Sequence, residues 1–524
     1  MICTMFRRLP HVLFAAIGAI AFVSYSASLP AQDKLHERVD ALLAEPRFQH
    51  AHWGMLFVDL ETGEVVLERN KDKLFAPASV TKLFSTATAL DALGADHRFV
   101  TPVYRRGMLK DDGVLDGDLI LVASGDLTLG GRTTEKGEID FKDDDHIYAN
   151  WSGNGELTPQ DPLAGLKDLA RQVAAAGIRK VNDVYIDDRL FDHTEGSGSG
   201  PGTITPIVVN DNVLDFTFEP GELDQPAKAE WRPQTALFAV DAQVQTVRED
   251  QPLEITIERE SRKFVIRGKL PANKKNVVRI VEVPDARAFA RALFVEALEA
   301  SGVEVAAEAA DPSRDGKLPV TEEYSKLTKV AEFTSPPFAE EARLILKVSH
   351  NLHASTLPLL VAVKNGKRSV ADGLKLEGEF LARAGVDLDA VSFGGGAGGS
   401  RADYVTPAST VQLLRYMASR PDFAVYEKAL PILGVDGTLA KSVGADSPAK
   451  GKVQAKTGTL VWDNLLVGRG LCTSKALGGY LTTASGKRLA FAAFVNGVPL
   501  KDGLTTRAIG TDLGRLCEIV HAER

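Results

Sequence analysis

Residues 76–90 read Ala76-Pro77-Ala78-Ser79-Val80-Thr81-Lys82-Leu83-Phe84-Ser85-Thr86-Ala87-Thr88-Ala89-Leu90. Proline just ahead of a stretch with few breakers marks a helix start, so the spacing predicts a helix from about Ser79 to Leu93. A serine at a helix N-terminus sits where unpaired backbone N–H groups and the helix dipole favour a developing negative charge. Lys82, three residues on, shares the helix face of Ser79 one turn away. A serine hydroxyl is a poor nucleophile without a base. A lysine amine serves as one near neutral pH only if burial or a second cation lowers its pKa.

Two further motifs lie downstream in fixed order. Ser349-His350-Asn351 follows Ser79 by 270 positions, and Lys456-Thr457-Gly458 comes after it. Lys456 is the candidate second cation. Ser349 and Asn351, two positions apart, point the same way if extended, or stand on one side of a turn. Ser349 is the candidate relay to a leaving amine, and Asn351 the candidate holder of the lysine or of a substrate amide. Gly458 lacks a Cβ, so a substrate backbone can lie close along its strand. Thr457 and Thr459 offer hydroxyls to a substrate carboxylate. Each motif alone is commonplace, and Ser-x-x-Lys recurs at Ser447–Lys450. The joint order, with helix start, connection and strand in matching places, carries the reading.

The similarity extends beyond these motifs. Gly117-Asp118-Leu119 with Ser124-Gly125-Asp126, Ile186-Asp187 with Phe191, Asn210–Pro220, and Gly437-Thr438-Leu439 ahead of Lys456–Leu460 all take part. Together the chain resembles the low-molecular-mass class C penicillin-binding proteins, the D-alanyl-D-alanine carboxypeptidase/endopeptidase family. The resemblance implies that Ser79 is acylated, Lys82 is its base, Ser349 and Asn351 line the cleft, and Lys456 completes the proton and charge network. It implies an oxyanion hole from the backbone N–H groups of Ser79 and Thr459. It makes Asp187 the expected reader of the amino end of the stem-peptide side chain. The implied partners are peptidoglycan peptides and β-lactam antibiotics, with no cofactor and no metal. Several positions depart from the pattern. His350 stands where Asp or Asn is usual, Ser355 where an acid is common, Leu127 where proline is usual. Gly395–Ser400 is a degenerate form of an Asp-Gly-Ser-Gly-Leu-Ser segment. Two other readings stay open: a β-lactamase or esterase on the same scaffold, and a catalytically weak wall-binding protein.

The expected fold class is α+β: a β-lactamase/transpeptidase-like domain, an antiparallel sheet flanked by helices, interrupted by large β-rich insertions. Gln49–Asp59 and Glu64–Glu68 form a hairpin pattern, and 451–460, 477–483 and 489–496 read as strands. Ala342–Leu360 reads as helix around a polar break, and Thr406-Pro407 as the cap and first turn of another helix. A helix near the start and strands near the end share one domain only if the middle is inserted. The expected division is 32–97 with 337–524 as the catalytic unit, and 98–336 as one or two inserted domains.

Composition excludes other classes. A net charge of −9 without a basic run argues against nucleic acid and against an anionic lipid surface. Arg7-Arg8, the apolar Val12–Tyr25 and the small residues to Ala31 read as a secretory leader over 1–31, too short for a stable membrane span. The expected location is therefore exported, in the periplasm or cell envelope. Cys472 and Cys517 are two cysteines, not a disulfide framework, and read as buried small apolar residues. Gly394, Gly396 and Gly399 match a dinucleotide turn only in spacing, since no helix opens there. His350 and His353 lack a supporting ligand set for a metal. Asp143-Asp144-Asp145 reads as a solvated loop.

Overall fold

The computed structural model describes residues 31–151, 155–311 and 318–523. Apart from Ala31, the leader expected over 1–31 lies outside them. Helix α1 (Ala31–Leu43) leads to strand β1 (His52–Asp59) and strand β2 (Val65–Arg69). The Asp59 carboxylate accepts from the N–H groups of Glu61 and Thr62 and so builds the turn between them. Only the first residue of β1 is exposed, because helices cover both faces. That burial explains a nearly continuous apolar run where a half-buried strand would alternate. Helix α2 (Thr81–Leu93) follows.

The stretch expected to be inserted, 98–336, is less purely β than its sequence texture predicts. It holds strands β3 (Val100–Leu109) and β4 (Leu115–Val122), helix α3 (Ala164–Ala175) and strand β5 (Asp183–Asp187). Strands β6 (Val213–Glu219), β7 (Lys228–Arg232), β8 (Ala239–Val247), β9 (Glu254–Glu260), β10 (Lys263–Pro271) and β11 (Val277–Glu282) come next. Helix α4 (Ala286–Ala300) and strand β12 (Thr328–Thr334) close it. The sheets run β12-β3-β4-β5, β7-β6-β11 and β8-β10-β9. β4 and β5 are parallel and need a crossover, which contains α3. Leu166, Leu169, Ala170 and Val173 bury one face of α3 at helical spacing. They join Phe216, Phe264, Phe289 and Leu293 in one core.

The chain then returns to the first unit through helices α5 (Phe338–Val348), α6 (Asn351–Lys364), α7 (Val370–Arg383), α8 (Pro407–Ala418) and α9 (Phe423–Ala429). Thr406 caps α8 by accepting from Ser409 N–H, with Pro407 in the first turn. Strands β13 (Val453–Asn464), β14 (Arg469–Thr482) and β15 (Arg488–Asn496) and helix α10 (Thr506–His521) complete it. The antiparallel sheet runs β13-β14-β15-β1-β2, so early and late strands lie side by side. On one face Met55 and Phe57 pack with α1 and α10, through Leu35, Val39 and Leu516. On the other, Leu56 and Val58 pack with α2, α6 and α8, through Phe84, Leu357 and Leu414. Phe57 stacks on Phe491 at 4.9 Å between ring centres. Truncating such a ring costs about 3–5 kcal/mol. Cys472 and Cys517 are free and buried in this sheet-and-helix core. Among the described residues no helix is long and apolar enough to cross a membrane.

Candidate active site

Three elements converge on a cleft of about 690 Å³: the start of α2, the α5–α6 junction and strand β13. Ser79 lies in a single tight turn, Ala78–Val80, that runs straight into α2. Ala78, a buried non-glycine residue, has φ of 47° there. That left-handed conformation costs energy and is held by its surroundings. Gly398 packs against it so closely that a Cβ would fall 2.0 Å from Ala78 O.

Lys82 is fully buried and its Nζ meets three oxygens: Ser79 Oγ at 2.9 Å, Asn351 Oδ1 at 2.8 Å and Ala397 O at 2.8 Å. Burial lowers its pKa to about 7, against the opposing pull of the Asp145 and Asp403 charges. The geometry suits both forms of the amine. The ammonium donates to all three oxygens. The neutral amine keeps two donations, to Asn351 and Ala397, and turns its lone pair toward the Ser79 hydroxyl. Lys456 is also fully buried, its Nζ donating to Thr457 O at 2.8 Å. Burial first, then the charges of Lys82 and Lys475, hold it well below the usual lysine range.

The polar break in the long helix is the α5–α6 junction. Ser349 caps α5 with φ of 65°, and Asn351 is the first residue of α6. The pair is therefore set by a tight left-handed corner, not by an extended segment. Asn351 N–H and Nδ2 both donate to Asp145 Oδ2, at 2.8 and 2.9 Å. With its amide nitrogen engaged there, its oxygen is left for Lys82.

Thr457, Gly458 and Thr459 lie on β13, the edge of the sheet. Ala455 N–H points off that edge to Pro431 O. The two-residue period of a strand aims the N–H groups of Thr457 and Thr459 off the same edge, into the cleft. Gly458 is required for a reason beyond substrate approach: a Cβ there would lie 2.4 Å from Pro77 O and 3.3 Å from Ala78 Cβ. The strand is thus pressed against the turn that carries Ser79.

Other sequence expectations fall differently. Asp187 does not line this cleft. It is buried in an ion pair, accepting from Arg189 Nε and Nη2 at 2.8 and 2.7 Å and from Tyr324 Oη at 2.6 Å. The acids that do line it are Asp143, Asp144 and Asp145, with Tyr148 beside them. Asp145 is buried, so the triple-acid segment is more than a solvated loop. Its value was hidden because its partner, Asn351, lies 206 positions away.

Two of the departures from the family pattern, His350 and the 395–400 segment, are accommodated around the cleft. His350 turns away from it and stacks on His353 at 3.8 Å. Asp211 accepts from His353 Nε2 at 2.8 Å, His350 Nε2 at 3.2 Å, His146 Nδ1 at 2.7 Å and Arg132 Nη2 at 2.6 Å. Burial alone would lower the His146 and His353 pKa values, but the adjoining carboxylates outweigh it and raise both to about 9. Burial and the His353 charge lower that of His350. The glycine segment supplies Ala397 O to Lys82 and Gly396 O to Ser85 Oγ through its backbone, which needs no particular side chain. Asp403 pins it by accepting from Gly394 and Ser400 N–H.

Known proteins share this arrangement of chain. The profile of the D-Ala-D-Ala carboxypeptidase 3 (S13) family matches residues 35–514. A D-alanyl-D-alanine carboxypeptidase of Actinomadura sp. is 29% identical over 513 residues, 93% of this chain and 85% of the relative. D-alanyl-D-alanine carboxypeptidase DacB of Haemophilus influenzae is 24% identical over 469 residues, 86% of each. The crystal structure of penicillin-binding protein 4 (dacB) from Haemophilus influenzae has the same fold, with a TM-score of 0.68 and 22% identity. It covers 92% of this chain and 99% of that one.

Proposed function

The chain belongs to the D-Ala-D-Ala carboxypeptidase 3 (S13) family and is a serine-type hydrolase; from that premise we propose that it cleaves D-alanyl-D-alanine bonds of peptidoglycan stem peptides through an ester on Ser79. One observation carries the assignment of roles: a buried lysine amine 2.9 Å from the serine hydroxyl, with a carbonyl and an amide oxygen fixing its other directions. Ser79 Oγ attacks the carbonyl of the penultimate D-Ala as Lys82 takes its proton. The N–H groups of Ser79 and Thr459 receive the oxyanion. Ser349 and the two amines pass a proton to the departing terminal D-Ala, and water then releases the acyl group.

Cross-bridge endopeptidase cleavage is the same chemistry with a larger leaving group. Penicillin acylates Ser79 because its strained amide mimics the dipeptide, but its amine stays tethered and blocks deacylation. Asp143 and Asp144, rather than Asp187, are placed to meet an ammonium on the stem-peptide side chain. The substrate lies outside the cytoplasm, in keeping with the basic and then apolar start of the sequence.

Intact-mass spectrometry after incubation with penicillin, and separately with muropeptides, tests the reading. A penicilloyl adduct on the Ser79 peptide and loss of terminal D-Ala are expected. An adduct on another residue would overturn it.

A further inference from the structure

The β13–β14 ribbon runs on past the cleft and ends in an apolar tip that has no part in this chemistry. β15 pairs with β14 only from Lys475 onward, so the outer ribbon stands clear of the main sheet. Val498 and Pro499, which pair with Cys472 and Leu471, steady its base, and Leu500 N–H donates to Gly470 O at 3.0 Å. Asn464 pairs with Arg469, and Leu465-Leu466-Val467-Gly468 closes the turn between them. The turn is held in shape: Asn464 Oδ1 accepts from Leu466 N–H and Asn464 O from Val467 N–H, both at 3.2 Å. Yet Leu465 is 88% exposed, Leu466 94% and Val467 53%. Monomeric proteins seldom present such a cluster to water without using it.

The form of the tip selects its occupant. Leu465 and Leu466 are consecutive and both almost wholly exposed, so neither rests on the other or on the rest of the protein. A protein partner would need a socket enclosing the whole apex, whereas fluid acyl chains surround it on every side. One level back, Trp462 pairs across the ribbon with Leu471 and carries the Arg401 guanidinium 4.7 Å from its ring centre. An aliphatic apex, then an amphipathic ring with a cation beside it, is the order of groups that suits entry into a bilayer from water. Leu466 lies four positions beyond Trp462. At about 3.3 Å per residue the apex stands roughly 10 Å ahead of the ring, close to the depth to which interfacial segments sink. The charges around the ribbon nearly balance, with Arg401, Arg469 and Lys501 against Asp463 and Asp502. Apolar burial, not attraction to anionic headgroups, is therefore the driving force, in keeping with the net charge of −9.

We propose that this hairpin tip docks the protein on a lipid surface: Leu465, Leu466 and Val467 enter the acyl region, and Trp462 with Arg401 stays at the headgroup level. Three aliphatic side chains give reversible attachment, far short of a membrane span. Thr459 lies on the same strand three positions before Trp462, so docking holds the cleft beside the lipid surface. The inference stands apart from the hydrolase reading, since none of these side chains takes part in acylation.

Flotation with phosphatidylcholine vesicles tests the proposal, using protein that begins at Ala31 so that the apolar 12–25 stretch contributes nothing. Wild type is expected to float with the vesicles equally in low and high salt. Leu466→Ser should weaken partitioning by about 10-fold or more, and the double variant Leu465→Ser, Leu466→Ser by at least about 100-fold, the worth of leucine side chains moved out of water. Both variants should react with penicillin as wild type does, which also reports an intact fold. Brominated acyl chains should quench the tryptophan emission of wild type more than that of Trp462→Phe. A wild type that does not float, or variants that float as well as wild type, would overturn the proposal. So would flotation that requires anionic phosphatidylglycerol and vanishes in high salt, which marks a charged surface elsewhere. Self-association of wild type that the double variant loses, without vesicle binding, would make the tip a contact between copies of the chain instead. Equal quenching in wild type and Trp462→Phe would remove Trp462 from the lipid surface.

Discussion

The amine nitrogen of Lys82 lies 2.8 Å from the amide oxygen of Asn351, though 269 positions separate them in sequence. Asn351 is oriented by Asp145, which comes from the inserted region and takes both of its N–H donors. Lys82, the base proposed above, is therefore aimed by residues from distant parts of the chain. Asp145 also tends to raise the Lys82 pKa. Asp145→Asn keeps an oxygen for Asn351 but removes the anion. Its pH profile for acylation should move to lower pH than wild type, with a smaller maximal rate. An unchanged midpoint would separate Asp145 from the base.

On the proposed mechanism the free amine of Lys82 is the reactive form, and burial lowers its pKa to about 7. Acylation by penicillin should therefore rise with pH through neutrality and level off above it. Lys82→Ala should cut the rate by about 10²–10⁴-fold, the usual worth of a positioned base, without loss of secondary structure. Stopped-flow acylation across about pH 5–9 (roughly two units either side of the midpoint) reads both effects, since an amine titrates over about that span. Near-normal acylation by Lys82→Ala would remove it from the mechanism.

Asp211 ties three histidines and Arg132 together beneath the Ser349–Asn351 corner. Asp211→Asn breaks a buried ion network and should destabilise the protein by about 3–5 kcal/mol in chemical denaturation. The loss should depend on pH. His146 and His353 are raised in the folded state to about 9, against an ordinary value of 6.5. Their stabilisation is complete below the unfolded pKa and fades as pH rises through the folded one. The difference between wild type and Asp211→Asn should be largest near pH 6 and shrink toward pH 10, about a unit beyond the folded pKa. A pH-independent difference would contradict the charge assignment.

Two glycine substitutions should act in opposite directions. At Gly458 a Cβ would collide with Pro77 O, a backbone atom that cannot swing away. Gly458→Ala should cost about 1–3 kcal/mol and slow acylation, because strand and Ser79 turn must separate. Gly378 lies inside α7 with nothing near its missing Cβ. Gly378→Ala should stabilise by up to about 1 kcal/mol and leave acylation unchanged. Paired thermal melts and acylation rates decide both.

Local signals in the sequence were the legible ones. Thr406-Pro407 placed the start of α8, and the apolar 489–496 segment placed β15 within a residue. The start of α2 was visible from its proline, and with it the Ser79–Lys82 face. The helices α3 and α4 were missed because short strands around them set the texture, though α3 buries residues at clear helical spacing. The cleft's cross-chain partners had no local mark. Asp145 meets a distant amide and Ala397 offers a backbone oxygen, neither of which a single segment displays. Asp187 was the opposite error, since its neighbouring residues fit a motif while Arg189 and Tyr324 consume its carboxylate.

Strand β1 pairs along its whole length with β15, and β13 rests on the turn before Ser79. A ribosome making this chain thus releases the serine long before the groups that equip it. A nascent or prematurely ended product that stops short of residue 450 holds Ser79 and Lys82 but no Lys456, no β13 and no β15 beside β1. On the mechanism proposed above, Ser79 can be activated only once Lys456 and β13 have been made, late in synthesis.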